Sequence, residues 1–263
     1  TIININSCRI QSLPSSVSNL QELYALSLDH NELRYLPAEI CQLNNLNSIS
    51  LNFNQLNELP EHIGDLDQLT VLDAIQNHIR TIPVSLGNLK LLKFLNLSSN
   101  EIDQIPGEIC GLSQLIYFNI SDNKIRELPL CLDGLANLGE LDISNNLLDT
   151  LIFRKSGFPN LQQLTLRFNN FATVPECVWQ LPKLTELRFS HNHISMVSES
   201  IGQAIHLRVL NLSNNKISSV PQNLCLLKNL ERLDLSFNRI NRIPDAINNL
   251  THLEEIDLSA NKE

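Results

Sequence analysis

The sequence predicts an α/β solenoid: a curved stack of about 12 short units, with a parallel concave β-sheet and short helical or 3-10 segments on the convex side. Three observations carry this. The first is an asparagine at a strict spacing of 23, at Asn31, Asn54, Asn77, Asn100, Asn123, Asn146, Asn169, Asn192, Asn215, Asn238 and Asn261. Cys8 holds the same place one period earlier, and no insertion or deletion interrupts the series. The second is the alternation of apolar residues just before each asparagine, as at Leu26 and Leu28, which has the period of a strand. The third is the three-to-four spacing after it, as at Leu36, Ile40, Leu43 and Leu46, which has the period of a helical turn. Pro37 opens that segment, where a missing N–H is tolerated.

Neither one short strand nor one helical segment can bury its apolar face alone, so each unit must stack on the next. Residues 1–263 then form one repeat domain, expected to be a piece of a longer chain and monomeric on its own. At about 4.8 Å per strand, twelve strands make a ribbon on the order of 55 Å long. An inward asparagine brings two donors and an acceptor to the buried turns, so the ladder is read as structural. Within the leucine column Ala74 is inward, and the neighbouring Ile75 is outward.

Hydrophobic residues make up 43% of the chain but aromatics only 5%, so Leu, Ile and Val must fill the core. The net charge of −9 argues against nucleic acid or an anionic membrane as partner, since phosphate binding draws on surplus Lys and Arg. No apolar run approaches the roughly 18 residues of a membrane span. The six cysteines, at 8, 41, 110, 131, 177 and 225, fall singly and are expected to be buried hydrophobes in a reducing compartment.

Segments such as "LRYLPAEICQLNNLNSISLNFNQL" and "ISSVPQNLCLLKNLERLDLSFNRI" resemble the 23-residue leucine-rich repeats of the Ras-group and scribble-type proteins. Proline fills nine of eleven equivalent positions, and the resemblance covers the whole chain. It implies a leucine-rich-repeat horseshoe and a cytoplasmic protein-interaction scaffold for signalling, with a Ras-like GTPase or a phosphatase or kinase subunit as partner. It brings no active site with it, because the motif residues are scaffold residues. Two alternatives stay open: an extracellular or cell-surface recognition module for a secreted ligand, and a regulatory array fused to a GTPase, kinase or phosphatase domain. The pattern lapses at Ile152 and Ser198, which replace proline, and at Lys155, which stands in an apolar column. The helical segment near Lys155 is expected to rearrange, with Phe153 or Phe158 filling the core.

Function in such a stack falls to residues that the period leaves facing outward. Val71, Phe94 and Tyr117 succeed one another in one column and, with Ile75, form a candidate apolar binding patch. Arg167 and Arg188, among Glu140, Asp142 and Glu186, form a candidate clamp for a partner's carboxylate or, equally, a solvated ion-pair network. Phe53, Phe168 and Phe237 are expected to pack at strand ends. His191 and His193 flank an inward asparagine with no third ligand, so no metal is expected. No nucleotide fingerprint occurs, and neither a cofactor nor catalysis is expected. Asn96, Asn119 and Asn211 begin sequons in strand columns, where a glycan would cover the binding face, which weighs mildly against an extracellular location.

Overall fold

The computed structural model describes residues 1–154 and 157–261. It divides into two compact units, Thr1–Leu138 and Gly139–Glu263. Twelve parallel strands follow one another in chain order among the described residues. The first unit holds β1 (Ile2–Asn4), β2 (Ala25–Ser27), β3 (Ser48–Ser50), β4 (Val71–Asp73), β5 (Phe94–Asn96) and β6 (Tyr117–Asn119). The second holds β7 (Glu140–Asp142), β8 (Gln163–Thr165), β9 (Glu186–Arg188), β10 (Val209–Asn211), β11 (Arg232–Asp234) and β12 (Glu255–Asp257). Neighbours pair in a register shifted by one sequence period, as in Val71↔Phe94 and Asn211↔Asp234. Outward columns in the sequence are therefore rows in space.

The middle residue of each strand points inward: Leu72, Leu95, Phe118, Leu164, Leu187 and Leu210 are all fully buried. Ala74 is fully enclosed as well. Opposite the strands, most repeats make one tight helical turn. Ala38–Gln42 and Gln222–Leu226 are 3-10 helices whose preceding prolines, Pro37 and Pro221, are extended and cap no N–H by a side chain. A single α-helical turn spans Glu176–Trp179. Ser198 replaces proline before Glu199–Gln203, yet the 3-10 turn forms all the same. At Ile152 the outcome differs: no helical turn is found among the described residues between β7 and β8. Phe153 and Phe158 fill that space instead, edge to face at 5.0 Å. Lys155 lies outside the described residues.

The asparagine ladder ties each repeat to the one before. Asn54 Oδ1 accepts the Leu33 N–H at 3.0 Å, and its Nδ2 donates to the Leu28 carbonyl at 2.9 Å and the Leu51 carbonyl at 3.1 Å. The same pattern recurs at Asn77, Asn100, Asn169, Asn192, Asn215 and Asn238. The residue before each ladder asparagine takes a left-handed backbone, with φ of 57° at Phe53 and 54° at Phe168. That conformation costs a non-glycine residue about 1 kcal/mol. Ring stacking offsets part of it: Phe53 lies 4.3 Å from His30 and Phe168 lies 4.1 Å from His191, both nearly parallel. Phe237 adopts the same backbone, and all three phenylalanines remain exposed, so the expected packing at strand ends amounts to ring stacking at Phe53 and Phe168 only.

The cysteines depart from the sequence expectation. Cys41 and Cys225 are buried and reduced, and burial pushes the Cys41 thiol up to about 11. Cys8 is exposed, and Cys110 and Cys131 are joined in a disulfide with their Cα atoms 5.9 Å apart. The reason is the geometry of the turns. A separation of 21 residues is two short of one repeat, which sets the two side chains against each other on successive turns of the helical side.

Candidate ligand-binding faces

In the first unit, register pairing aligns Val71, Phe94 and Tyr117 on β4, β5 and β6. The Phe94 and Tyr117 rings are 6.2 Å apart and tilted by 35°, within the range of favourable aromatic pairs. The Tyr117 hydroxyl accepts a hydrogen bond from Asn119 Nδ2 at 3.1 Å, which fixes the polar end of the ring. Phe94 is exposed, whereas Val71 and Tyr117 are half-buried. Ile75 is half-buried too, and its N–H is held by Asn52 Oδ1 at 2.8 Å. Its column is more sheltered than the alternation suggests: Ser98 and Ser121, the equivalents in the next two repeats, are buried. The strands end two residues earlier, at Asp73, Asn96 and Asn119, so alternation no longer decides which way these side chains face. Leu91 and Ile116, just before β5 and β6 in the sequence, are exposed as well; they precede the strands, where the period of two gives no signal.

In the second unit, Arg167 and Arg188 do not form a parallel fork. Arg188 Nη2 pairs with Glu186 on its own strand. Arg167 lies beyond the end of β8; its Nε donates to Ser190 Oγ at 2.9 Å, and its guanidinium carbon sits 5.7 Å from the centre of the Phe168 ring. Both arginines open onto a concavity of about 310 Å³ that Arg232, Asp234, Glu255 and Asp257 also line. Arg232 belongs to the outward columns, but a lone arginine two repeats away gave no cluster to notice. Arg167 and Arg232 make no ion pair among the described residues. A larger groove of about 490 Å³ holds Lys183, His206, Arg208 and His252. Its arginine is already committed, with Arg208 Nη2 2.6 Å and Nε 2.7 Å from Glu231 Oε1.

Electrostatics on these faces reflect burial first and neighbouring charges second. Burial raises the Glu140 carboxyl above its ordinary 4.5, with Asp142 and Glu186 adding to the effect and Arg188 opposing it. Burial, then Asp29, likewise raises Asp73. Burial lowers His191, and the charge of Arg167 lowers it further. A carboxyl raised in the folded state favours folding at acid pH, and that contribution is lost as pH rises through the folded value. Glu140→Gln is therefore expected to raise the melting temperature at pH 7 and to leave it nearly unchanged at pH 3.5. Differential scanning calorimetry at the two pH values checks this.

His191 is stacked on Phe168 and Asn192 points inward, so the two histidines around it do not converge. No group of three or more metal-ligating residues occurs among the described residues. No helix among them is long and apolar enough to cross a membrane.

Short parallel strands in one-period register, tight turns opposite most of them and an inward asparagine ladder define a solenoid-repeat binding module. A leucine-rich repeat region profile matches residues 61–158, and a leucine rich repeat profile matches residues 205–262. A leucine-rich repeat protein of Leptospira interrogans is 30% identical over 97% of this chain and 78% of its own, with a TM-score of 0.65. The chain belongs to the leucine-rich repeat family. A plant peptide hormone receptor, RGFR1 in complex with RGF2, is 27% identical over 99% of this chain, with a TM-score of 0.85. The Arabidopsis receptor kinase HAESA ectodomain, in complex with an IDA peptide hormone ligand, is 26% identical over 97% of this chain, with a TM-score of 0.78. This chain spans 44% of the length of each of those two structures. No curated protein sequence matches it.

Proposed function

We propose that this chain is the non-enzymatic recognition part of an extracellular or cell-surface protein, presenting its strand faces to a peptide or protein ligand. The observation that carries the compartment is the Cys110–Cys131 disulfide, since such bonds persist in oxidising surroundings and are rare in the cytosol. The similarity to plant peptide hormone receptors supports the same reading. The ligand surface is the outward strand face, where Phe94 and Tyr117 offer apolar contact and the cleft around Arg167 offers polar contact. A rigid repeat scaffold suits this task, because little ordering entropy is lost on docking.

A cytoplasmic scaffold for a Ras-like GTPase or a phosphatase or kinase subunit is the second reading. It is favoured by the exposed free thiol of Cys8, which an oxidising compartment would leave open to unwanted pairing. Trapping thiols at the moment of cell lysis decides between them. With an alkylating agent followed by denaturation and intact mass measurement, four modified cysteines and one intact bridge are expected. Six modified cysteines would favour the cytoplasmic reading.

A further inference from the structure

The cleft of the second unit is polarised. Along one row of paired residues the sequence in space is Thr165, Arg188, Asn211, Asp234 and Asp257, so a cation at one end faces two adjacent carboxylates at the other. Arg167 reinforces the cationic end from the turn after β8, and Glu255 on β12 reinforces the anionic end beside Arg232. Like charges directly across a strand pair disfavour each other, so Asp234 beside Asp257 is an unfavourable arrangement in the free protein. Asp234 Oδ2 accepts from Asn211 Nδ2 at 2.9 Å and Asp257 Oδ1 from the Ser259 N–H at 2.8 Å, which are neutral donors. Neither aspartate has a cationic partner among the described residues. At the other end, Arg167 has no carboxylate to bind. Arg167 at one end and Asp234 with Asp257 at the other thus have no ion-pair partner among the described residues, while Arg188 is shared with Glu186 and Arg232 lies beside the acidic end.

We infer that this cleft binds a dipolar peptide segment laid across the strands, with an acidic side chain over Arg167 and Arg188 and a basic side chain over Asp234 and Asp257. The spacing follows from the sheet. The two ends are centred three strands apart, about 14 Å at 4.8 Å per strand. An extended chain covers that distance in about four residues. The ligand would therefore carry Asp or Glu and Lys or Arg four positions apart. A wholly acidic or wholly basic peptide would satisfy one end and be repelled at the other. The inference rests on the strand face being the ligand surface, and it is independent of the compartment.

The test is an array of immobilised twelve-residue peptides in a neutral Gly/Ser/Thr background, carrying one Asp and one Arg two, four or eight positions apart, in both orders. All-Asp and all-Arg peptides complete the array. The labelled 263-residue chain is the probe. The strongest signal is expected at a spacing of four in one of the two orders, at least tenfold above the single-sign peptides. Arg167→Glu with Arg188→Glu should abolish that signal, and Asp234→Lys with Asp257→Lys should do the same. The milder pair Arg167→Gln with Arg188→Gln covers the case in which reversal unfolds the chain, which circular dichroism would reveal. Equal binding of all-Arg peptides, no binding to any dipolar peptide, or capture unchanged by the substitutions would each overturn the proposal. Thiol trapping reports separately on the compartment, so either reading can fail without the other.

Discussion

Asn192→Ala is expected to destabilise the second unit by about 3 to 5 kcal/mol in urea unfolding, far more than its single polar side chain suggests. Asn192 Oδ1 accepts the N–H of Phe171 at 3.1 Å, and its Nδ2 donates to the carbonyls of Leu166, Phe189 and Ser190 at 2.9, 3.2 and 3.2 Å. The side chain is 5% exposed, and Phe171 and Phe189 are fully buried, so water cannot take its place. A made hydrogen bond is worth about 1 kcal/mol net, and each buried group left without a partner costs about 1 to 3 kcal/mol. Some of the lost bonds are bifurcated and weak, which keeps the total below the simple sum. Asn261 is the control. It makes three of the four equivalent bonds, to the Ile240 N–H and the Leu235 and Leu258 carbonyls, and it is only half-buried. Asn261→Ala should cost about 1 kcal/mol, because solvent can reach the groups it abandons. Equal losses at the two positions would show that burial does not govern the ladder.

The contrast between these two asparagines shows what the sequence makes legible. The marker spacing places Asn192 and Asn261 in the same role, and three of the four Asn192 bonds have an equivalent at Asn261. Strand positions, register and the inward rows follow from the period in the same way, since each repeat can bury its apolar residues in only one manner. The candidate faces were legible as columns, because parallel pairing in one-period register turns columns into rows. What the period could not reveal is how side chains within a row share their charges. Arg188 is drawn to Glu186 on its own strand, while Arg167 reaches forward to Ser190 and over Phe168. The burial of Ser98 and Ser121 also lay beyond alternation, because it is set where the strand ends. The disulfide escaped for a related reason: 21 residues is not the period, and only the turn geometry shows that the two cysteines meet.

Close packing between turns on the helical side was equally hidden, and it yields the second large effect. Gly87→Ala is expected to cost at least about 3 kcal/mol, while Gly107→Ala should stabilise the protein by about 0.4 to 1 kcal/mol. Gly87 lies in the 3-10 segment Val84–Asn88, stacked on the next segment, Gly107–Gly111. A Cβ on Gly87 would sit 2.0 Å from the Glu108 carbonyl oxygen and 2.6 Å from its carbon. Both atoms are backbone in a neighbouring repeat, so relief requires moving a whole turn, and the ladder and strand pairing on the other side of the repeat resist that movement. At Gly107 nothing lies within 4 Å of the added carbon, and no glycine of the described chain has a positive φ. There the methyl group only reduces the freedom of the unfolded chain. The two glycines have the same chemistry and lie in successive turns, so the difference between their effects on urea midpoints isolates the contact between turns. A small loss at Gly87 would mean that adjacent turns can slide apart by about 1 Å without disturbing the strands, and the stack would then be far more compliant on its helical side than its packing implies.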